Sequence, residues 1–380
     1  MNKILILGPA YPYRGLALFN EMLARSLAKQ GKAVEIITFT LQYPSFLFPG
    51  KTQFSESEPP ADLKITRMVN SINPLNWWRV GRYIRRKQPD MLILRYWTPF
   101  MAPCFGTIAR IVAKNRHTKI LSLLDNVVPH EKRFFDAILT RYFLNSVHGF
   151  LYMSQKVKDD LDKVQRFKDS KPSVFAPHPI FSNFGEKVAR EEACIRLNLH
   201  AEKRYVLFFG LIREYKGLDL MLYAWANLKQ NGQTEDKKLI IAGEFYTEKA
   251  KYIQQIERLQ ISDDVILHDR FIRDDDVKYY FSASDVLVQP YKSATQSGVT
   301  QIAYQFATPM IVTDVGGLAE IVTDGKTGYV VKPDAKQISH AIEKIYRNNN
   351  LQQMAENVIA EKNRFCWENF VLQVLSLQNS

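Results

Sequence analysis

The sequence predicts an α/β protein built from two doubly wound, Rossmann-like domains. Short runs of consecutive apolar residues alternate with helix-length amphipathic segments along the chain. Strands that are apolar on both faces are typical of a parallel sheet covered by helices on both sides. The strand–loop–helix order at the start of the chain recurs near residue 205, so the second half is expected to repeat the architecture of the first.

The length and composition of the chain fit this fold class. Its 380 residues suffice for about two domains. Hydrophobic residues make up 46% of the chain and charged residues 24%, as in globular proteins. With no apolar run long enough to span a bilayer and no signal-peptide pattern, we expect a cytoplasmic protein. The three cysteines lack the spacing of a metal or redox site.

In the first half, the pattern predicts a strand at 3–8, a helix at 19–30 ended by Gly31, and a strand at 33–39. Segment 38–60 carries four prolines and is predicted to be a long loop. The joint between the two halves is placed at 177–183, where two prolines interrupt regular structure. Further strands are predicted at 91–95, 119–123, 149–153 and 173–176.

The second half restarts with an apolar strand at 205–210. The same alternation predicts helices at 218–229, 274–282, 298–307 and 335–347. Further strands are predicted at 238–243, 265–268, 285–290, 310–314 and 328–332.

The net charge of +12 and the pI near 9.4 indicate an anionic partner. Nucleic acid is disfavoured, because no helix-turn-helix, RNP-like or zinc-finger pattern accompanies the charge. A nucleotide sugar and an anionic membrane surface remain as candidates.

The clearest basic cluster is segment 77–87. On a helix, Trp78, Arg82, Arg85 and Arg86 fall on adjoining positions, as in helices that lie in a membrane interface. The alternative is a surface helix whose tryptophans pack on their own domain. We favour this alternative, because Gly81 weakens a helix.

Two cations, Arg213 and Lys216, follow the strand at 205–210. Ligands of open α/β sheets bind at the carboxyl ends of the strands. A guanidinium and an ammonium group there suit a diphosphate whose negative charge grows as it leaves. Taken alone, they could equally be two solvated loop cations.

A second anion site is predicted at the start of helix 298–307. Ser297 is a candidate N-cap, and Gly298 would let a ligand approach the first turn. The free N–H groups of Gly298, Val299 and Thr300 would then point at an anion. Together with the two cations, they would form half of a pyrophosphate cradle.

With these segments in place, the chain resembles the retaining glycosyltransferases of family four, which have the GT-B fold of two Rossmann-like domains facing a cleft. Segment 208–217 is similar to the family's Gly-Arg-x-x-x-x-Lys-Gly run, although Leu211 stands in the usual place of the arginine. Segment 308–317, followed by Glu320, is similar to the family segment after the donor-binding helix. Further similar segments are 239–243, 324–329 and 365–368.

The resemblance implies an acceptor domain at 1–180, a donor domain at 181–364 and a final segment, 365–380, that packs back on the first domain. One departure concerns the pair of glutamates that the family usually carries around the donor helix, because Ala294 and Ile302 stand there instead. Gln301 or Gln296 could supply the missing hydrogen bonds. The donor-binding residues that the resemblance implies are Gly210, Ser297, Gly298, Val299, Thr300, Gln301 and Glu320.

In the first half, segment 125–133 is similar to the family loop that sends a histidine into the cleft, which makes His130 a catalytic candidate; the alternative is a surface histidine. The turn Arg14-Gly15-Leu16 corresponds to the family's Gly-Gly turn near the acceptor and the diphosphate, with one glycine of the two. Segment 95–100 either lines the acceptor side or packs in the core.

The implied reaction moves a hexosyl unit from a nucleoside-diphosphate sugar to an acceptor hydroxyl with retention, and His130, Arg213 and Lys216 are the catalytic candidates. We expect no cofactor, and no metal because the sequence shows no carboxylate cluster with metal spacing. The expected acceptor is a carbohydrate or a lipid-linked sugar in surface polysaccharide or glycolipid synthesis, at the inner face of the cell membrane.

Three alternatives stay open. A nucleotide-sugar epimerase of the same fold would need a catalytic carboxylate set, which we do not find. A non-catalytic carbohydrate-binding or membrane-associated protein would explain the missing glutamates. A dehydrogenase is disfavoured, because Gly8 is not part of a G-x-G-x-x-G fingerprint.

Overall fold

The computed structural model describes residues 2–44, 52–55, 58–128, 134–164, 171–181, 183–348 and 350–378. The chain forms two compact units. The first unit comprises Met1–Pro177 and Trp367–Ser380, and the second unit comprises His178–Cys366. The division of the chain falls within the predicted joint at 177–183.

In the described part of the first unit, seven parallel strands form one sheet in the order β3-β2-β1-β4-β5-β6-β7. The strands are β1 (Lys3–Leu7), β2 (Ala33–Leu41), β3 (Ile65–Asn70), β4 (Met91–Tyr96), β5 (Lys119–Leu124), β6 (Gly149–Tyr152) and β7 (Ser173–Phe175). The helices between them are α1 (Leu16–Lys29), α2 (Pro74–Lys87), α3 (Ala102–Ala113), α4 (Asp136–Leu144) and α5 (Gln155–Val164).

The described part of the second unit contains six parallel strands in the order β10-β9-β8-β11-β12-β13. They are β8 (Arg204–Phe209), β9 (Lys237–Ala242), β10 (Val265–His268), β11 (Val286–Gln289), β12 (Met310–Thr313) and β13 (Gly328–Val331). The helices are α6 (Arg190–Leu197), α7 (Leu218–Gln230), α8 (Lys249–Arg258), α9 (Asp274–Ala283), α10 (Gly298–Gln305), α11 (Leu318–Ile321), α12 (Ala335–Arg347) and α13 (Leu351–Glu361).

The final helix, α14 (Trp367–Ser376), belongs to the first unit. It packs on α1, where the ring centre of Phe19 lies 5.0 Å from that of Trp367 and 5.5 Å from that of Phe370. The last helix of the chain therefore belongs to the same hydrophobic core as the first helix.

These sheets confirm the predicted α/β class. Both have a topological switch point, because successive strands are added first on one side of the first strand and then on the other. The switch lies between β1 and β4 in the first sheet and between β8 and β11 in the second. Loops that follow these strands are therefore the expected ligand-binding loops.

Two details of the first unit correct the sequence analysis. Strand β3 was not predicted, because its sequence Ile-Thr-Arg-Met-Val-Asn mixes polar and apolar residues; it pairs with β2 at the edge of the sheet. The predicted loop at 38–60 starts too early, since β2 continues to Leu41.

The two adjacent tryptophans of the basic segment lie on different sides of helix α2. Trp77 packs against the core, and its Nε1–H donates to the Asn70 carbonyl at 2.8 Å, whereas Trp78 is 50% exposed. Gly81 is the point where α2 meets α3, because a β-carbon there would lie 2.9 Å from the Ile111 side chain. The helix is therefore stabilised by close packing, and the interpretation in which both tryptophans pack inward is wrong for Trp78.

Within the described ranges, no helix is both long and apolar enough to cross a membrane.

Candidate functional site

The carboxyl end of β8 lies beside the start of α10 at the switch point of the second sheet. Gly210 follows β8 with φ +98°, a value that favours glycine. A β-carbon on Gly210 would lie 3.2 Å from Lys216 Nζ and 3.2 Å from Val299 Cγ2. The amine and the first turn of the helix, far apart in sequence, therefore approach the same glycine.

The loop that carries Lys216 is fixed by backbone contacts to its neighbours. Tyr246 N–H donates to the Ile212 carbonyl at 2.8 Å, and Lys292 N–H donates to the Tyr215 carbonyl at 2.7 Å. Gly217 closes the loop with φ +68°, and a β-carbon on it would lie 1.9 Å from the Pro290 carbonyl oxygen. The loop after β8 is thus held against the loop after β11.

Lys216 is a buried cation, 9% exposed. Burial lowers the pKa of Lys216, and the nearby Arg213 lowers this pKa further. Its Nζ lies 5.6 Å from the ring centre of Tyr291, and within the described ranges it forms no ion pair with a carboxylate. A buried charge without a counter-charge is unfavourable, so an anion is the ligand that this position suits.

Arg213 has a different environment. It is half-buried, and its Cζ lies 5.2 Å from the ring centre of Tyr246, in the loop after β9. The structure places the Lys216 amine at the start of α10, and it places the Arg213 guanidinium over the Tyr246 ring.

The start of α10 differs in detail from the predicted capping. Ser297 occupies the N-cap position in an extended conformation, but its side chain accepts no hydrogen bond from the helix. Its Oγ instead accepts a hydrogen bond from Gln289 Nε2 at 2.8 Å. The N–H groups of Gly298, Val299 and Thr300 are therefore left uncapped by this serine, which keeps the first turn available to an anion.

A buried polar cluster, which the sequence analysis did not find, holds this helix start. Gln289 Oε1 accepts from Thr300 Oγ1 at 3.1 Å, and Gln289 Nε2 lies 3.2 Å from Tyr291 OH. Burial raises the pKa of Tyr291, so its hydroxyl stays neutral. The sequence signal was a glutamine at the end of an otherwise apolar strand. Because the Thr300 hydroxyl already donates to Gln289, the group that Thr300 can offer to a ligand is its main-chain N–H.

Gln301 is fully buried in the first turn of α10. Neither its Oε1 nor its Nε2 has a hydrogen-bond partner in the part of the chain that the structure describes. Each unsatisfied buried group costs about 1–3 kcal/mol. This amide is therefore suited to a polar ligand. Gln296, the second candidate, lies in the loop before the helix and is half-buried.

The turn after β12 packs against the loop before α10. Gly316 has φ +51°, and a β-carbon on it would lie 1.6 Å from the Ala294 carbonyl oxygen. Gly317 N–H donates to the Thr295 carbonyl at 3.1 Å. This turn leads into α11, where Glu320 is half-buried and its carbonyl accepts from Arg364 Nη2 at 3.0 Å.

Arg14, Gly15 and Leu16, three of the predicted site residues, follow β1 at the switch point of the first sheet. Gly15 is exposed and precedes α1, and the Arg14 N–H donates to the Gln53 carbonyl at 3.1 Å. The Leu16 carbonyl accepts from Arg95 Nη1 at 3.3 Å. His130 lies outside the described residues.

Segment 95–100 begins as core, so the hypothesis that it lines the acceptor side is wrong for Arg95 and Tyr96. Both are buried, and Tyr96 stacks on Phe143 with ring centres 4.4 Å apart. Arg95 forms a bidentate pair with Asp125, with Nε–Oδ2 at 2.7 Å and Nη2–Oδ1 at 2.9 Å. Through the hydrogen bond from Arg95 to the Leu16 carbonyl, this buried pair also holds the start of α1 in place.

Two family models match the chain. Glycosyltransferase Family 4 matches residues 13–177, and Glycosyl transferases group 1 matches residues 190–362. The chain belongs to the GT-B glycosyltransferases of family 4. This membership confirms the predicted class of enzyme, a glycosyltransferase, and favours it over the epimerase, dehydrogenase and non-catalytic interpretations.

Among curated relatives of this glycosyltransferase is the D-inositol 3-phosphate glycosyltransferase of Arthrobacter sp. (strain FB24). It is 24% identical over 343 residues, which cover 83% of this chain and 78% of the relative. Spore coat protein SA of Bacillus subtilis (strain 168) is 26% identical over 213 residues, which cover 53% of this chain and 54% of that protein.

Among solved structures, Anabaena Alr3699/HepE in complex with UDP-glucose has a TM-score of 0.74 at 15% identity, and the match covers 100% of both chains. At this identity the likeness shows the fold, which is GT-B as predicted.

Proposed function

We propose that this glycosyltransferase moves a hexosyl unit from a nucleoside-diphosphate sugar to an acceptor hydroxyl and retains the anomeric configuration. One observation carries the proposal: the buried amine of Lys216 and the first turn of α10, which the Ser297 side chain does not cap, approach each other at Gly210. This combination of a cation and the N–H groups of a helix start fits a diphosphate.

The proposed step transfers charge toward these groups. The bond between the anomeric carbon and the phosphate oxygen breaks, and its electron pair stays on the diphosphate. The Lys216 ammonium and the N–H groups of Gly298, Val299 and Thr300 stabilise that charge. Preorganised donors of this kind lower the activation free energy by on the order of 3 kcal/mol each. A bound diphosphate also favours protonated Lys216 and so opposes the effect of burial on its pKa.

Retention is proposed to follow a front-face route. The acceptor oxygen bonds to the anomeric carbon on the face that the diphosphate leaves, and the acceptor proton passes to the departing phosphate. The positions of the family's glutamate pair hold Ala294 and Ile302, both buried and apolar, so neither offers a carboxylate nucleophile. Arg213 adds positive charge in the loop that carries Lys216, and the resemblance assigns His130 to the anomeric region and Arg14, Gly15 and Leu16 to the diphosphate and acceptor.

Gln301 is proposed to bind the donor sugar. Replacing Gln301 by leucine should weaken the binding of the nucleotide sugar about tenfold to a hundredfold, because the amide no longer binds the sugar hydroxyls. Binding of the free nucleoside diphosphate should change little, and the ligand-free protein should be no less stable. Isothermal titration calorimetry with both ligands measures the difference.

The matched control is Gln305→Leu, on the last turn of the same helix, where the residue is half-buried. This variant should bind both ligands like the wild type. Equal losses for the sugar nucleotide and the free nucleotide in Gln301→Leu would contradict a role in sugar binding.

The neighbours support a sugar nucleotide as donor and a sugar-type acceptor. The Anabaena structure contains UDP-glucose, and the Arthrobacter relative is named a D-inositol 3-phosphate glycosyltransferase. We propose a carbohydrate or lipid-linked acceptor in surface polysaccharide or glycolipid synthesis, reached at the inner face of the cell membrane.

A donor screen tests the proposed function. UDP-, GDP- and ADP-sugars are incubated with the enzyme, and released nucleotide is detected by mass spectrometry. Thermal shifts with the free nucleotides report binding, because a ligand at about a hundred times its Kd stabilises by about 2.7 kcal/mol. A donor that changes configuration without an acceptor would indicate an epimerase, and no stabilisation by any nucleotide would contradict a donor site.

Transfer is expected to persist in EDTA. In the described stretches, no group of three or more His, Cys, Asp or Glu side chains could hold a metal ion, and Lys216 supplies positive charge to the diphosphate instead. Initial rates with and without chelator should agree. A rate that vanishes in EDTA and returns with Mg²⁺ or Mn²⁺ would show that the charge balance needs a divalent cation.

A further inference from the structure

Helix α2 presents an unbalanced row of arginines to solvent. Arg79, Arg82, Arg85 and Arg86 are all exposed. No acidic residue occurs from 70 to 89, and in the described part of the chain none of these arginines forms an ion pair. Lys87, the fifth basic residue of the helix, pairs with Glu35 at 2.6 Å. The four guanidinium groups therefore form a cationic face that lacks its own counter-charge.

Large apolar side chains continue this face toward the start of the helix. Ile72 is 50% exposed, Leu75 is 73% exposed and Trp78 is 50% exposed. Arg82 lies over the Trp78 ring, with its Cζ 4.5 Å from the ring centre. Exposed aromatic and aliphatic groups beside arginines are typical of helices that lie in a bilayer interface.

Helix α4 and the two residues before it carry a second group of exposed apolar side chains. Phe134 is 89% exposed, Phe135 is 64% exposed and Ile138 is 58% exposed. Several large apolar groups so close together on one helix are unusual for a surface that faces only water.

Helix α3 lies between these two helices and packs against both. A β-carbon on Gly81 of α2 would lie 2.9 Å from Ile111 of α3, and one on Gly106 of α3 would lie 2.6 Å from Tyr142 of α4. The two glycines let the three helices pack closely side by side. We call the exposed part of this layer the α2–α4 surface; it consists of Ile72, Leu75, Trp78, Arg79, Arg82, Arg85, Arg86, Phe134, Phe135 and Ile138.

The apolar residues of the α2–α4 surface lie toward the ligand-binding edge of the first sheet. Helix α2 begins shortly after the carboxyl end of β3, and α4 begins in the segment that follows the carboxyl end of β5. Because all strands are parallel, both carboxyl ends are at one edge of the sheet. The arginines extend along α2 away from this edge.

We propose that the α2–α4 surface docks on a bilayer of anionic phospholipid, with the arginines on the headgroups and the apolar side chains at the boundary with the acyl chains. The exposed Leu75, Phe134 and Ile138 favour a lipid bilayer over nucleic acid, because a phosphate backbone offers no apolar layer to receive them. The inference deepens the proposed function, since it would bring the ligand-binding edge of the first unit to a lipid-linked acceptor; the docking itself requires no transfer activity.

Vesicle sedimentation of the 380-residue chain tests the proposal without donor or acceptor. Wild type should bind vesicles with about a third anionic phospholipid and bind neutral vesicles much less. The double variant Arg82→Gln/Arg86→Gln should lower the partition coefficient about thirtyfold. The double variant Leu75→Ser/Phe134→Ser should lose the part of the binding that survives high salt, since salt screens only the electrostatic part.

The charge-matched control is Lys29→Gln/Lys336→Gln, which removes two exposed cations outside this surface. It should bind like the wild type, and all three variants should release nucleotide from a soluble donor at the wild-type rate. An equal loss in this control, equal binding to neutral vesicles, or binding to duplex DNA or RNA that displaces the vesicles would overturn the proposal. Loss of donor hydrolysis with vesicle binding intact would instead count against the proposed function.

Discussion

Replacing Lys216 by methionine is expected to lower the turnover number about a hundredfold to a thousandfold. The amine is the charged group that the structure places at Gly210 beside the first turn of α10, where the departing diphosphate is proposed to bind. Methionine has a similar length and no charge. The ligand-free variant should therefore be at least as stable as the wild type, because it no longer buries an unpaired cation. Initial rates at saturating donor and thermal unfolding measure the two effects.

The stability effect should depend on pH in a defined direction. Burial lowers the pKa of Lys216 below its ordinary 10.5, so the unfolded chain binds more protons than the native protein between the two pKa values. The free energy of unfolding of the ligand-free wild type therefore gains from this group as the pH rises through that window. The advantage of Lys216→Met should shrink toward pH 10.5.

Lys251→Met is the matched control for this experiment. Lys251 is exposed and pairs with Glu214, in the same loop as Lys216, with Nζ–Oε1 at 3.2 Å. Removing this charge should leave the turnover number within about twofold of the wild type, because exposed pairs contribute little. Turnover of Lys216→Met close to the wild-type value would remove the lysine from the mechanism.

Replacing Asp125 by alanine is expected to destabilise the protein by about 3–5 kcal/mol. The substitution leaves the Arg95 guanidinium buried without its carboxylate; the two side chains are 2% and 5% exposed. Transfer activity should also fall, because Arg95 Nη1 donates to the Leu16 carbonyl at the start of α1. Chemical unfolding, followed by a probe in the first unit, measures the loss.

The chain contains a control with the same geometry on the surface. Arg25 binds Asp62 through Nε–Oδ2 at 2.7 Å and Nη2–Oδ1 at 3.0 Å, but these side chains are 36% and 57% exposed. Asp62→Ala should cost less than about 1 kcal/mol. Similar losses in the two variants would mean that burial does not determine the contribution of the Arg95–Asp125 pair.

Much of the fold could be predicted from the sequence, because strands buried in a parallel sheet are continuous apolar runs. The runs at β1, β4, β8 and β9 show this pattern clearly. Strand β3 lacks it, since it lies at the edge of the sheet and keeps polar residues such as Arg67 exposed. The pattern fails where only part of a strand is buried.

The candidate site was predictable to the level of its loops. The rule that parallel strands present their carboxyl ends at one edge predicts that the loops after β8 and β11 meet there. The direction in which each side chain points depends on its packing against neighbouring residues, and this packing cannot be predicted from the spacing of residues along the sequence. The contact of Arg213 with Tyr246, and the use of Ser297 Oγ by Gln289 in place of the helix N–H groups, are both of this kind.

The spacing of the loops around this edge is set by main-chain atoms. Gly217 lies against the Pro290 carbonyl and Gly316 against the Ala294 carbonyl, with no room for a side chain at either contact. These contacts between loops are made by main-chain atoms, so they do not depend on the side chains proposed to bind a substrate. A change of side chain in the loops around this edge can therefore leave the main-chain contacts that position these loops unchanged.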